Sequence, residues 1–198
     1  RTAKDLIKKS EIHLYKANDL AVTAAETLLF NFFLKDKRGL GGKKILILGV
    51  GNIGFKLALK FVECGSKVYI YRRRKKVLKT LSHTINIIKP QGVISRVKIM
   101  KKIPENFKNY DVVLTTANNV NIVTLERIKN IKKKIIFVDI GKGNFDAESI
   151  KELNKKNINI YRLDTTSAYF SYLDNIYFTK NQYSSDIYKI KIKKLTFV

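Results

Sequence analysis

Between residues 44 and 163 the chain alternates short apolar runs with stretches whose apolar residues fall at helical spacing. Lys44-Ile45-Leu46-Ile47-Leu48-Gly49 is a continuous apolar run, as expected of a strand covered on both faces of a parallel sheet. Asn52 to Cys64 follows as a helix, with Ile53, Leu57 and Phe61 one turn apart and Gly65 just past its end. Ser66–Tyr71 reads as the second strand, Arg73–Leu81 as a helix and Ser95–Met100 as a weaker third strand. Asp111–Thr116, Lys134–Ile140 and Asn157–Leu163 supply three more strands, with helices over Ile122–Asn130 and Asp146–Lys155 between them. Strand and helix repeated in this way predict βαβ units in a doubly wound parallel sheet, with right-handed crossovers giving strand order 3-2-1-4-5-6.

The ends differ. Thr2–His13 and Asp19–Lys35 read as helices. Gly39-Leu40-Gly41-Gly42 breaks the chain before the first strand. Asn175–Thr179 and Tyr188–Val198 alternate like strands of a hairpin. The expected organisation is an N-terminal helical segment (1–40), a Rossmann domain (41–166) and a C-terminal extension (167–198). The Asp19–Lys35 helix is apolar nearly all round near its end, through Leu28, Phe30, Phe32 and Phe33. Such a helix is normally covered on more than one side. That predicts either a homodimer or a two-domain parent, meeting through the terminal segments.

Composition narrows the classes. A 45% hydrophobic share argues against disorder. The single cysteine, Cys64, excludes an internal disulfide and a cysteine-built metal site. His13 and His83 stand alone without metal-ligand spacing, so no metal is expected. No apolar run reaches the roughly 18 residues that cross a bilayer, and the first residues have no apolar stretch of signal-peptide type. A cytoplasmic location is the default expectation. The chain opens on Arg1 without a methionine, the pattern of a piece of something longer. The net charge of +24 resembles a nucleic-acid signal. However, lysine supplies 32 of the 40 cations, spread along the whole chain as a solvated surface, so no specific nucleic-acid partner is expected.

Against that background, Gly49-Val50-Gly51-Asn52-Ile53-Gly54 is specific because it follows a strand and opens a helix. Gly49 permits the tight turn, Gly51 lets backbone approach a pyrophosphate, and Gly54 lets helix and sheet pack closely. Asn52 is expected to cap the helix, whose N-terminal N–H groups favour an anion. The second strand ends in Tyr71 and runs into Arg72-Arg73-Arg74-Lys75-Lys76, with no carboxylate between Glu63 and Glu105. NAD sites usually place an acid there for the ribose hydroxyls. Arginines instead suit the 2′-phosphate of NADP (NADPH). An adenosine without that phosphate would want the acid, which argues against a Rossmann methyltransferase.

Gly42–Gly51 and Val68–Arg73 resemble the NADP-binding domain shared by shikimate dehydrogenases, glutamyl-tRNA reductases and methylene-tetrahydrofolate or -methanopterin dehydrogenases. The resemblance covers roughly residues 18–165 and extends to Asn18–Glu26, similar to the helix that enters that domain. It implies that Arg72 meets the adenosine phosphate, with Tyr71 replacing the usual Asn or Ser and Arg73 the usual Thr or Ser. It also implies that Thr115, Thr116 and Ala117, after the fourth strand, lie near the nicotinamide.

In that group, acid–base residues mostly come from a separate domain before the Rossmann domain, and only about 40 residues precede the first strand here. Candidates therefore fall on the loops after the strands: Asn118, then Asp139, Lys142 and Asn144, then Asp164, Thr165 and Thr166. Lys142 is the best-placed acid, because Gly141 and Gly143 would leave it exposed in the crevice. The expected function is that of an NADP-dependent oxidoreductase acting on a small-molecule substrate. The alternative is a non-catalytic nucleotide-binding or regulatory subunit.

Overall fold

The computed structural model describes residues 3–10, 12–13, 15–118, 121–131, 134–183, 190–192 and 195–197. Six parallel strands form the sheet, β1 (Lys44–Leu48), β2 (Lys67–Tyr71), β3 (Lys98–Ile99), β4 (Val112–Thr115), β5 (Ile136–Asp139) and β6 (Ile160–Arg162), in the order β3-β2-β1-β4-β5-β6. This is the doubly wound order that the alternating pattern predicts. β1 lies between β2 and β4, with Leu48 level with both Tyr71 and Thr115, and Thr115 level with Asp139. The chain therefore leaves four adjacent strands at one height, and the crevice of the fold opens there.

β1 is central because its side chains are covered on both faces. Ile45 and Ile47 pack with α2 (Ala17–Phe32), α3 (Asn52–Glu63) and α4 (Lys75–Ile88). Leu46 and Leu48 pack with Phe107, Val113, Phe137, Ile128 of α5 (Leu125–Ile128) and Leu153 of α6 (Ala147–Lys155). All four β1 residues are fully buried, each contributing about 1.5–3 kcal/mol. α3 ends as a Schellman turn: Gly65, at φ +77°, donates to Val62 O, and Ser66 N–H donates to Phe61 O.

Several boundaries differ from the sequence expectation. α4 runs on to Ile88, because Ser82 and Ile85 continue the buried stripe that begins at Leu78. α5 is a single turn, because the preceding residues run extended and Val123 bridges Phe145. Among the described residues of the helix expected over Thr2–His13, only α1 (Ala3–Leu6) is helical. Leu6 and Ile7 are exposed there, and a short helix without packing is marginal. Asn175–Thr179 is not a strand but part of α7 (Thr166–Tyr183). Ala168 and Tyr172, one turn apart, pack against Leu20 and Ala24 of α2, and this contact overrides the β-like alternation. Within the expected Tyr188–Val198 segment, β7 (Ile190–Ile192) and β8 (Leu195–Phe197) pair antiparallel, while residues 188, 189, 193, 194 and 198 lie outside the described residues. α2 is covered by α3 on one side and α7 on another. Phe30 remains 42% exposed and Leu34 77%.

Candidate dinucleotide site

The loop between β1 and α3 is shaped by its glycines. Gly49 sits at φ +99°, and a Cβ there would lie 2.5 Å from the Ala117 nitrogen. Gly51 is different: a Cβ would meet only Gly49 O at 3.9 Å, so the space beside it opens into the cleft. Gly54 is buried against Thr116 Oγ1 and Ile47. The N-cap position of α3 is Gly51, with no side-chain cap bond, and Asn52 is its exposed first helical residue. The expected Asn52 cap is therefore replaced by bare backbone. Phe55 N–H makes the first helical bond, to Gly51 O. The N–H groups of Asn52, Ile53 and Gly54 thus have no partner within the helix and are open to an anion. Ile53 turns its half-buried side chain toward the core.

The loop borders a cleft of about 780 Å³ lined by Val50, Gly51, Tyr71, Arg72, Arg73, Arg74, Thr116 and Ala117, together with Ile103, Asn118, Asn121, Ile122 and Arg127. None of these is acidic. Arg73 and Arg74 are exposed at the β2 end. Arg72 is half-buried and donates through Nη1 to the Val50 carbonyl at 2.9 Å. It thus braces the loop, where the resemblance implied a phosphate contact alone.

Thr116 donates to Gly49 O at 2.8 Å and stays on the cleft wall, as does Ala117. Thr115 does not: it is fully buried, and its Oγ1 donates to Asp139 Oδ1 at 2.8 Å. Its expected cofactor contact is corrected to a structural one. Asn144 is buried beside it and donates through Nδ2 to Asp139 Oδ1 and to the Ala117 carbonyl, both at 2.7 Å. Gly141 is pressed so closely against Ala117 that a Cβ would overlap its carbonyl. These contacts lock the loops after β4 and β5 together. Gly141 therefore serves close packing, and Lys142, exposed at φ +68°, does not line the cleft as expected.

Asp164 accepts from both the N–H and the hydroxyl of Thr166 at the start of α7. The Thr166 bonds hold its carboxyl below the usual aspartate range. His13 and His83 are exposed. Cys64 is half-buried, and burial, with Glu26 and Glu63 nearby, pushes its thiol up. Among the described residues no group of three metal-binding side chains forms, and no helix is long and apolar enough to cross a membrane.

Arg127, Asn121, Ile122 and Ile103 escaped the sequence reading because two separate loops and the short helix α5 bring them to the cleft. The one available signal was Arg127 itself, an arginine in a chain whose cations are mostly lysine.

Residues 31–179 match the family described as D-isomer specific 2-hydroxyacid dehydrogenase, NAD binding domain. The chain belongs to that family. It is also 29% identical over 119 residues to a glutamyl-tRNA reductase of Thermosipho melanesiensis, covering 60% of this chain and 30% of the reductase. The reductase falls in the group that the glycine-loop residues resemble. Among solved structures, the fold is similar to the dipicolinate synthase A chain of Bacillus subtilis (TM-score 0.56, 16% identity, 88% of this chain and 59% of that one). It is also similar to L-tryptophan dehydrogenase of Nostoc punctiforme (TM-score 0.54, 17% identity, 73% and 40%). The chain thus spans less than two thirds of each of these relatives.

For this dehydrogenase-type domain the cofactor is a nicotinamide dinucleotide. The cleft fits one: Gly51 leaves room for a pyrophosphate at the α3 N-terminus, and arginines stand where the ribose of an adenosine would lie.

Proposed function

We propose that the chain is the cofactor-binding domain of an NADP-dependent dehydrogenase or reductase that acts on a small metabolite. One observation carries the choice of NADP. Arg72, Arg73 and Arg74 leave β2 into a cleft lined by no carboxylate, where an acid would favour NAD and repel a 2′-phosphate. Calorimetry with NADPH and NADH tests it, and equal affinities would overturn it. When bound, the cofactor supplies hydride chemistry. This chain's residues seat the pyrophosphate on the α3 N-terminus, hold the adenosine phosphate, and fix the β4 and β5 loops through Asp139 and Asn144. Lys142 is the proton donor to test first. Lys142→Met should lower turnover and leave the cofactor dissociation constant unchanged.

A second reading, a non-catalytic nucleotide-binding subunit, is favoured by one fact: no acid–base pair lines the cleft among the described residues. Turnover of NADPH with carbonyl, imine or 2-hydroxy substrates would exclude it. In either case a second copy or a further domain covers the terminal segments, where Phe170, Tyr177 and Phe178 of α7 are 60–66% exposed. A clean monomer in light scattering would rule out the second copy.

A further inference from the structure

Four of the chain's eight arginines line one cleft, in a protein where lysine outnumbers arginine 32 to 8. Arg72, Arg73 and Arg74 reach it from β2, on one side of β1. Arg127 reaches it from α5, which follows β4 on the other side. The half-buried Arg127 is oriented by its own loop: Nη1 donates to Ile122 O at 2.9 Å and to Thr124 Oγ1 at 3.2 Å. Both bonds use one nitrogen, and among the described residues Nε and Nη2 have no acceptor, which leaves their donors for a ligand. Among the described residues no carboxylate pairs with it.

Position decides which part of a ligand Arg127 meets. Asp139 at the end of β5, and Gly141 and Lys142 after it, do not line this cleft. The cleft includes the adenosine half of the site, from the glycine loop to the β2 end, where Arg72, Arg73 and Arg74 line it. The pyrophosphate already has its seat at the α3 N-terminus, in the space left by Gly51. Four like charges around the rest of the cleft repel one another until a further anion lies between them. We propose that Arg127 is a specificity-determining residue that grips the phosphate on the adenosine ribose from the β4 side, facing Arg73 and Arg74, a role that rests on the NADP preference proposed above. The guanidinium fork suits that phosphate in a way a lysine point charge does not.

Calorimetry on the full chain tests this with adenosine 2′,5′-bisphosphate, AMP, NADPH and NADH. Arg127→Met should weaken adenosine 2′,5′-bisphosphate and NADPH at least tenfold, and leave AMP and NADH within twofold. Arg127→Lys should recover part of the loss. If Arg127→Met disturbs the loop in circular dichroism, Arg127→Gln, which can still donate to Ile122 O, gives the same comparison. Equal losses for AMP and adenosine 2′,5′-bisphosphate would overturn the proposal, because Arg127 would then touch the base or the 5′-phosphate. No loss in any variant would also overturn it. A wild-type chain without preference for NADPH overturns the NADP reading itself, whereas a preference that survives Arg127→Met removes only the role of Arg127.

Discussion

Arg72 donates from Nη1 to the carbonyl of Val50, 22 residues earlier, across 2.9 Å. The bond ties the β2 end to the glycine loop, so Arg72 and its neighbours should behave differently when removed. Arg72→Ala should weaken NADPH and NADH alike, because the loop that seats the pyrophosphate loses its brace. Arg73→Ala and Arg74→Ala should weaken NADPH alone, by about 1.5–3 kcal/mol per lost charged bond. Calorimetry on the three variants separates the roles.

The glycines make opposite predictions. Gly51→Val should leave a folded protein that no longer binds the dinucleotide, since its side chain enters open cleft space. Gly141→Ala should instead lower stability by about 1–3 kcal/mol or more, because the methyl group meets the Ala117 carbonyl. Urea denaturation and cofactor titration on both would show the contrast.

Asn144 is buried and holds Asp139 and the Ala117 carbonyl together. Asn144→Ala strips a donor from each and should cost about 1–3 kcal/mol in urea denaturation. An unchanged midpoint would show that the two loops are held by backbone packing alone.

Asp19, bonded to Lys56, and Asp36, bonded to Lys43, have carboxyls drawn below their ordinary value of 3.8 by those hydrogen bonds. The folded state therefore gains stability that is complete above about pH 4 and fades as pH falls through the lowered folded values. Asp19→Asn and Asp36→Asn should each flatten the loss of thermal stability as pH falls below about 4.

Cys64 should react slowly. Burial raises its thiol pKa, so little thiolate forms at neutral pH. A disulfide reagent should label the native chain more slowly than the urea-unfolded one, and equal rates would contradict the half-buried placement.

The strands, the glycine loop and the arginines after β2 were legible in the sequence because each is local, and the strand order followed from their alternation with helices and the right-handed crossover rule. A buried parallel strand is a continuous apolar run, and a phosphate loop is six consecutive residues. The start and end of α3 were legible for the same reason, since Gly65 at φ +77° closes the helix within its own turn. Tertiary structure decided what depends on residues far apart. Thr115 and Thr116 are adjacent, yet one is buried against Asp139 and the other faces the cleft, because successive strand residues point to opposite sides and the neighbouring strand selects between them. Arg127 joins Arg72 only when β4 and α5 close over β1. Residues 175–179 alternate like a strand but become helical, because α7 gains burial against Leu20 and Ala24 that no local pattern records.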